Sequence, residues 1–171
     1  MMGYRKILVP LDGSKLAEQV LKRIETLAEP KARIHLLTIV GHDRLDIIAA
    51  TVGAGGQPFS PIGDPWMVND FNSPDNVEDH RAYLKKAAAS LNQLGFIVTT
   101  DIRSGEIADT IVKEAAEGHF DVIAIATHGR TGFGRLLLGS VTQAILAKAP
   151  CPVLVLPPSK LLESLESAQK P

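Results

Sequence analysis

An α/β protein, with helices on both faces of a five-stranded parallel sheet, is the fold that three features of this sequence predict. Short apolar runs rich in Val and Ile alternate with longer segments whose apolar residues recur at helical spacing. The connections are long enough for crossover helices, which parallel strands require and two-residue hairpins do not supply. A glycine-rich stretch follows the fourth apolar run, where such sheets place a strand-to-helix turn.

The elements follow in order. Residues 6–10 read as the first strand, 15–28 as a helix, and 34–40 as the second strand. A Gly/Pro-rich insert then occupies residues 41–75. The alternation resumes with a helix over 77–94, a strand over 97–103, a helix over 107–117 and a strand over 122–127. After the glycine loop come a helix ending at Lys148 and a last strand at residues 153–156. Two covered faces explain why the strands read as near-continuous apolar runs instead of alternating ones.

The glycine loop carries the chemistry. Between the fourth strand and the last helix, Gly129, Gly132, Gly134 and Gly139 free the backbone, and Ser140 stands where the helix begins. Glycine lets backbone N–H groups approach a ligand closely. A helix N-terminus adds orphan amides and the positive end of the dipole, so an anion is the expected guest, and a nucleotide phosphate fits. The segment has neither the G-x-x-x-x-G-K-[ST] phosphate loop nor the G-x-G-x-x-G dinucleotide fingerprint.

The run Thr127-His-Gly-Arg-Thr-Gly-Phe-Gly-Arg-Leu-Leu-Leu-Gly-Ser-Val-Thr142, followed by Ala149-Pro-Cys-Pro-Val-Leu-Val-Leu156, resembles the C-terminal signature of the universal stress protein family. Lys6-Ile-Leu-Val-Pro-Leu-Asp-Gly-Ser14 is similar to that family's first strand and turn, and Gly105-Glu-Ile-Ala-Asp-Thr-Ile-Val112 to the start of its penultimate helix. The resemblance covers residues 4–157. It implies three α/β/α layers of the adenine nucleotide alpha hydrolase-like kind, with strands ordered 3-2-1-4-5 and a switch point between the first and fourth. Ligands bind such sheets beyond the carboxyl ends of the strands at that point.

Nucleotide-binding members of the family carry a glycine, two residues, a second glycine, nine residues, then glycine with serine or threonine. Here Gly129 matches the second glycine and Gly139-Ser140 the terminal pair, while Ala126 occupies the first position. Whether alanine is compatible turns on two alternatives, a glycine-only backbone or room for the ligand. The resemblance implies ATP, with Mg²⁺ bridging its phosphates, as the cofactor. Its site would be formed by Pro10, Asp12, Ile39, Ile125, Ala126, His128, Gly129, Arg130, Gly132, Gly139, Ser140 and Val141.

Each residue also has a plainer reading. Asp12 and Ser14 favour turns and caps, yet a carboxylate at a crevice accepts from ribose hydroxyls or an adenine amino group. Ile39 and Ile125 are ordinary core residues by type; in nucleotide-binding relatives the matching positions flank the adenine. Ser140 either caps the last helix or contacts phosphate, roles that are compatible. Arg130 and Arg135 are suited to charge-assisted bonds with a triphosphate. His128 has no orienting carboxylate nearby in sequence, and no catalytic residue or metal ligand is assigned. With no declared base, Walker lysine or acidic metal pair, a binding module is expected, at most a slow ATPase. Nucleotide state would then alter dimer shape or partner choice. A nucleotide-free dimer of the same fold is the alternative, and an adenylate-forming enzyme ranks below both.

At 171 residues the chain suits one domain, residues 1–158, with a tail at 159–171. A net charge of −1 with signs mixed along the chain gives no basic field for nucleic acid. No secretory h-region or membrane-length apolar run is seen, so a cytoplasmic location is expected. Cys151, the single cysteine, reads as a structural thiol. Within the insert, residues 46–52 suit a short helix and Trp66 a loop anchor; Leu161, Leu162 and Leu165 suit an amphipathic tail. The resemblance implies a homodimer through the last strand, Val153 to Leu156, and a protein partner whose identity the sequence does not reveal.

Overall fold

The computed structural model of the chain describes residues 3–14, 17–40, 77–126 and 138–156. Five parallel strands, β1 (Tyr4–Pro10), β2 (Ala28–Val40), β3 (Ile97–Ser104), β4 (Val122–Ala126) and β5 (Val153–Leu156), form one sheet in the order β3-β2-β1-β4-β5. The helices between them are α1 (Glu18–Leu27), α2 (Val77–Gln93), α3 (Ile107–Glu117) and α4 (Ser140–Lys148). Both the sheet and its order agree with expectation. The insert helix, Trp66 and the tail lie outside the described residues, as does Thr127, the expected end of β4.

Strand periodicity sorts the core into two apolar layers. Ile7, Val9 and Leu11 of the β1 segment join Ile34 and Leu36 of β2 and Val122 and Ala124 of β4 beneath α1 and α2. The intervening residues Leu8, Leu37, Ile39, Ile123 and Ile125 face the opposite way, onto α3 and α4. Val20 and Ile24 of α1, Leu84 and Leu91 of α2, Ile111 of α3 and Ile145 of α4 are each no more than 2% exposed. Burying each such side chain stabilises the fold by about 1.5–3 kcal/mol, so both faces contribute.

Several boundaries differ from the sequence reading by one or two residues, and the start of β2 by more. β2 begins at Ala28 rather than at residue 34, because Ala28 pairs with Tyr4 before the register jumps, the next pair being Lys6 with Arg33. The extra residues bulge out around Lys31, whose φ is 63°. The Glu29-Pro30-Lys31 run looks like a breaker, and it is a bulge within a strand. α1 is described from Glu18, residues 15–16 lying outside the described residues, and Ser14 holds the approach to it. The Ser14 Oγ accepts from the Ala17 N–H at 3.1 Å and its carbonyl from the Glu18 N–H at 3.2 Å.

Candidate functional site

The site begins where the sheet stops being a sheet. β1 pairs with β4 through Ile7–Val122 and Leu8–Ile123. On its other side β1 continues to pair with β2 as far as Pro10–Leu37, and β4 with β5 as far as Ala126–Leu156. Above Leu8 and Ile123 the β1–β4 ladder is therefore open, and Pro10, which has no N–H, cannot extend it. That opening lies at the switch point, at the carboxyl ends of the strands.

On the β1 side the chain turns sharply. The Leu11 N–H donates to the Leu37 carbonyl at 2.8 Å, and the Thr38 hydroxyl donates to the Leu11 carbonyl at 3.0 Å. Asp12 then accepts the Ser14 N–H on Oδ1 at 2.9 Å, while Gly13 takes a φ of 79° that side-chain-bearing residues rarely adopt. The turn role of Asp12 is thus real. Its carboxylate remains exposed, so it is also open to a ligand. Tyr83 of α2 lies in the same electrostatic environment. Burial pushes its phenol above the usual 10.0, and the carboxylates of Glu18 and Asp12 push it further the same way.

Ile39 and Ile125 lie on the two strands flanking β1, on the same face of the sheet, 9% and 5% exposed. Ala126 is the last residue of β4, half-buried, its methyl packed against the opposite layer. Among the described non-glycine residues only Lys31 and His119 have positive φ. Ala126 therefore sits in extended backbone that alanine adopts without strain.

α4 connects two parallel strands, so it runs antiparallel to them and its N-terminus lies at the carboxyl edge of the sheet. Gly139 occupies the cap position with φ −59° and ψ 158°, and among the described residues no side chain caps this helix end. Ser140, expected as a possible cap, is instead the first helical residue. A Cβ built on Gly139 would meet nothing within 4 Å among the described residues. Its ordinary φ makes no demand for glycine either, so what glycine contributes here is space above the helix end. The amides of the first turn lack intrahelical acceptors by helix geometry, and Gly139, Ser140 and Val141 are all exposed. Such an end attracts an anion.

Pro10, Asp12, Ile39, Ile125, Ala126, Gly139, Ser140 and Val141 thus all lie at the carboxyl edge. His128, Gly129, Arg130 and Gly132 fall outside the described residues, as does Arg135. Three residues escaped the sequence reading. Thr38 and Tyr83 act across elements, and the Gln143 side chain donates from its Nε2 to the Leu138 carbonyl at 2.7 Å, holding the approach to α4. The one available signal was Thr38, a hydroxyl inside an otherwise apolar run.

The sequence profile of the universal stress protein family matches residues 3–157. Universal stress protein MJ0577 of Methanocaldococcus jannaschii is 32% identical over 159 residues, covering 89% of this chain and 94% of the relative. A universal stress protein of Thermus aquaticus is 40% identical over 154 residues, covering 89% and 98%. The solved structure of hypothetical protein MJ0577 is similar with a TM-score of 0.66 at 27% identity, over 91% of this chain and 97% of that one. Two more distant structures share the fold at 19% identity: a universal stress protein in complex with cAMP (TM-score 0.57, 92% and 99% covered) and one from Archaeoglobus fulgidus in complex with dAMP (TM-score 0.54, 90% and 98% covered). Profile, relatives and sheet order agree across both sides of the crevice, and this chain belongs to the universal stress protein family.

Proposed function

We propose that this protein binds an adenine nucleotide, ATP, in the crevice between β1 and β4 and acts as a nucleotide-responsive module. The observation that carries the reading is the N-terminus of α4, where, among the described residues, no side chain caps the helix and a Cβ on Gly139 would meet nothing within 4 Å. Phosphates would lie there, on the amides of Ser140 and Val141, with Mg²⁺ bridging phosphate oxygens. Arg130, His128, Gly129 and Gly132 belong to the phosphate site by the family resemblance alone. The Asp12 carboxylate would accept from a ribose hydroxyl or the adenine amino group. Ile39 and Ile125, on the strands flanking β1, would offer the base an apolar floor. The cAMP and dAMP held by the two distant fold relatives support an adenine nucleotide as the ligand class. The unstrained backbone of Ala126 supports the reading for this chain in particular.

The module is a binder, hydrolysing ATP slowly if at all, and works in the cytoplasm, where ATP is abundant. Its partner is first a second copy of itself. All four residues of β5, Val153 to Leu156, are half-buried at a sheet edge, which suits pairing across a two-fold axis. The test is titration calorimetry of nucleotide-stripped protein with ATP and Mg²⁺, with AMP and GTP as comparators. Saturable ATP binding that is lost in folded Gly139→Val is the expected result. Failure of the unaltered protein to bind ATP would leave a nucleotide-free dimer as the better reading.

A further inference from the structure

We infer that Thr38 is a positioning residue for the base-and-ribose end of the nucleotide, acting through the peptide between Leu11 and Asp12. The inference rests on the nucleotide reading above and adds a residue to it. Thr38 is 1% exposed within the apolar run Leu36-Leu37-Thr38-Ile39-Val40. A hydroxyl buried there is costly unless it is bonded. Its proton goes to the Leu11 carbonyl at 3.0 Å, and the Leu11 N–H goes to the Leu37 carbonyl at 2.8 Å. Both backbone groups of Leu11 therefore point toward β2. The peptide plane is rigid and trans, so a carbonyl and the following N–H point in opposite directions. Holding the Leu11 carbonyl toward β2 turns the Asp12 N–H away from β2, toward the side on which the β1–β4 ladder has ended. Thr38 thus presents the Asp12 amide to the crevice and fixes the root of the turn from which the Asp12 carboxylate projects.

Valine matches threonine in shape and removes only the hydroxyl, so Thr38→Val, Thr38→Ser and the unaltered protein are compared for binding of ATP, adenosine and inorganic tripolyphosphate. Thermal melts verify folding. Thr38→Val is expected to weaken ATP and adenosine alike, on the order of tenfold, the size of one lost hydrogen bond. Tripolyphosphate, held at α4, should bind unchanged, and Thr38→Ser should recover most of the affinity. In nucleotide-free protein the Asp12 amide NMR signal should move in Thr38→Val and stay near its place in Thr38→Ser. Should the valine variant not fold, Thr38→Ala against Thr38→Ser makes the same comparison. A folded variant lacking the hydroxyl that binds ATP normally, or that loses tripolyphosphate as much as adenosine, overturns the inference; so does an unmoved Asp12 signal. If the unaltered protein binds no ATP, the nucleotide reading falls and takes this assignment with it.

Discussion

β1 and β4 are neighbours whose two ends are built in opposite ways. At the amino edge the fold bonds its own polar groups together. Asp121, just before β4, accepts the Arg5 and Lys6 N–H groups on one oxygen at 3.0 and 2.8 Å, and its own N–H donates to the Lys6 carbonyl at 2.8 Å. The Lys6 ammonium donates to the Gly118 carbonyl and lies 4.9 Å from the centre of the Phe120 ring. At the carboxyl edge the ladder ends early, the turn at Asp12 is held from the β2 side, and α4 begins without a side-chain cap among the described residues. Donors satisfied internally make a latch. Donors left open among the described residues make a place for something else, and the asymmetry suits the proposed binding role: one rigid end to hold the other end apart.

The largest expected effect attacks the open end. Ser140→Glu places a carboxylate at the first position of α4, where the helix dipole favours negative charge by about 0.3–1 kcal/mol. The melting temperature should hold or rise slightly. ATP affinity should fall on the order of 100-fold, about 2.7 kcal/mol, because the phosphates would meet a like charge. Calorimetry beside a thermal melt reads both. Opposite signs would sharpen the contrast between the two ends, whereas a destabilised protein with intact ATP binding would break it.

Next in size is the latch itself. Asp121→Ala leaves two backbone donors without their charged acceptor, a loss of about 2 kcal/mol. For a domain of this size that lowers the melting temperature by roughly 4–8 °C. Nucleotide affinity of the folded variant should be unchanged within about twofold, the mirror image of Ser140→Glu. A large drop in affinity would mean that the latched end sets the geometry of the open one.

How much of this contrast was readable beforehand depends on how local the cause is. α3 and β5 were placed at their observed limits because periodicity and flanking breakers lie within each segment. The Asp12 turn was legible for the same reason, since Asp-Gly-Ser carries its own hydrogen-bonding instructions. The early start of β2 was not, because Ala28 is recruited by Tyr4 across the sheet despite the proline two positions on. Thr38 and Tyr83 were missed because their importance is set by which carbonyl or carboxylate stands opposite, a property of strand register and helix docking. Gly139 was read as a glycine that frees the backbone and lets its N–H groups approach a ligand, and its ordinary φ leaves the second of these as the reason for glycine.

A smaller effect tests the latched end by pH. The His35 Nδ1 lies 2.8 Å from the Thr99 hydroxyl oxygen, and its ring 5.6 Å from that of Phe120. Its Nε2 is 3.8 Å from a Glu114 oxygen, beyond hydrogen-bond reach. Burial lowers its pKa below 6.5; Glu114 and Asp101 oppose the shift, and Arg103 and Lys6 add to it. The folded protein therefore prefers neutral His35, and below pH 6.5 the unfolded chain binds the proton first. This contribution to stability is complete above that value and is lost as pH falls from it through the lower folded-state pKa. The melting temperature should decline across that window, and His35→Gln should flatten the part of the slope that belongs to this ring. An unchanged slope would remove His35 from the latch.

The smallest effect is expected where a bond looks strongest on distance alone. The Lys148 ammonium lies 2.6 Å from an Asp109 oxygen and ties α4 to α3, raising the lysine pKa chiefly through that hydrogen bond. Both side chains are more than half exposed. Water solvates the separated charges nearly as well, a long side chain gives up rotamer freedom to hold the contact, and about 0.15 M salt screens what remains. Because the folded pKa is raised above 10.5, the pair's proton-linked contribution is complete below that value and is lost only as pH rises through the folded one. Lys148→Gln at neutral pH and physiological salt should leave the melting temperature within measurement error. The Asp121 carboxylate accepts at longer distances but from backbone amides already fixed in a strand, so no side-chain entropy is lost by the donors. A measurable loss in Lys148→Gln, comparable with that of Asp121→Ala, would show that the α3–α4 contact braces the open end and that the division between the two ends is less complete than the hydrogen bonds imply.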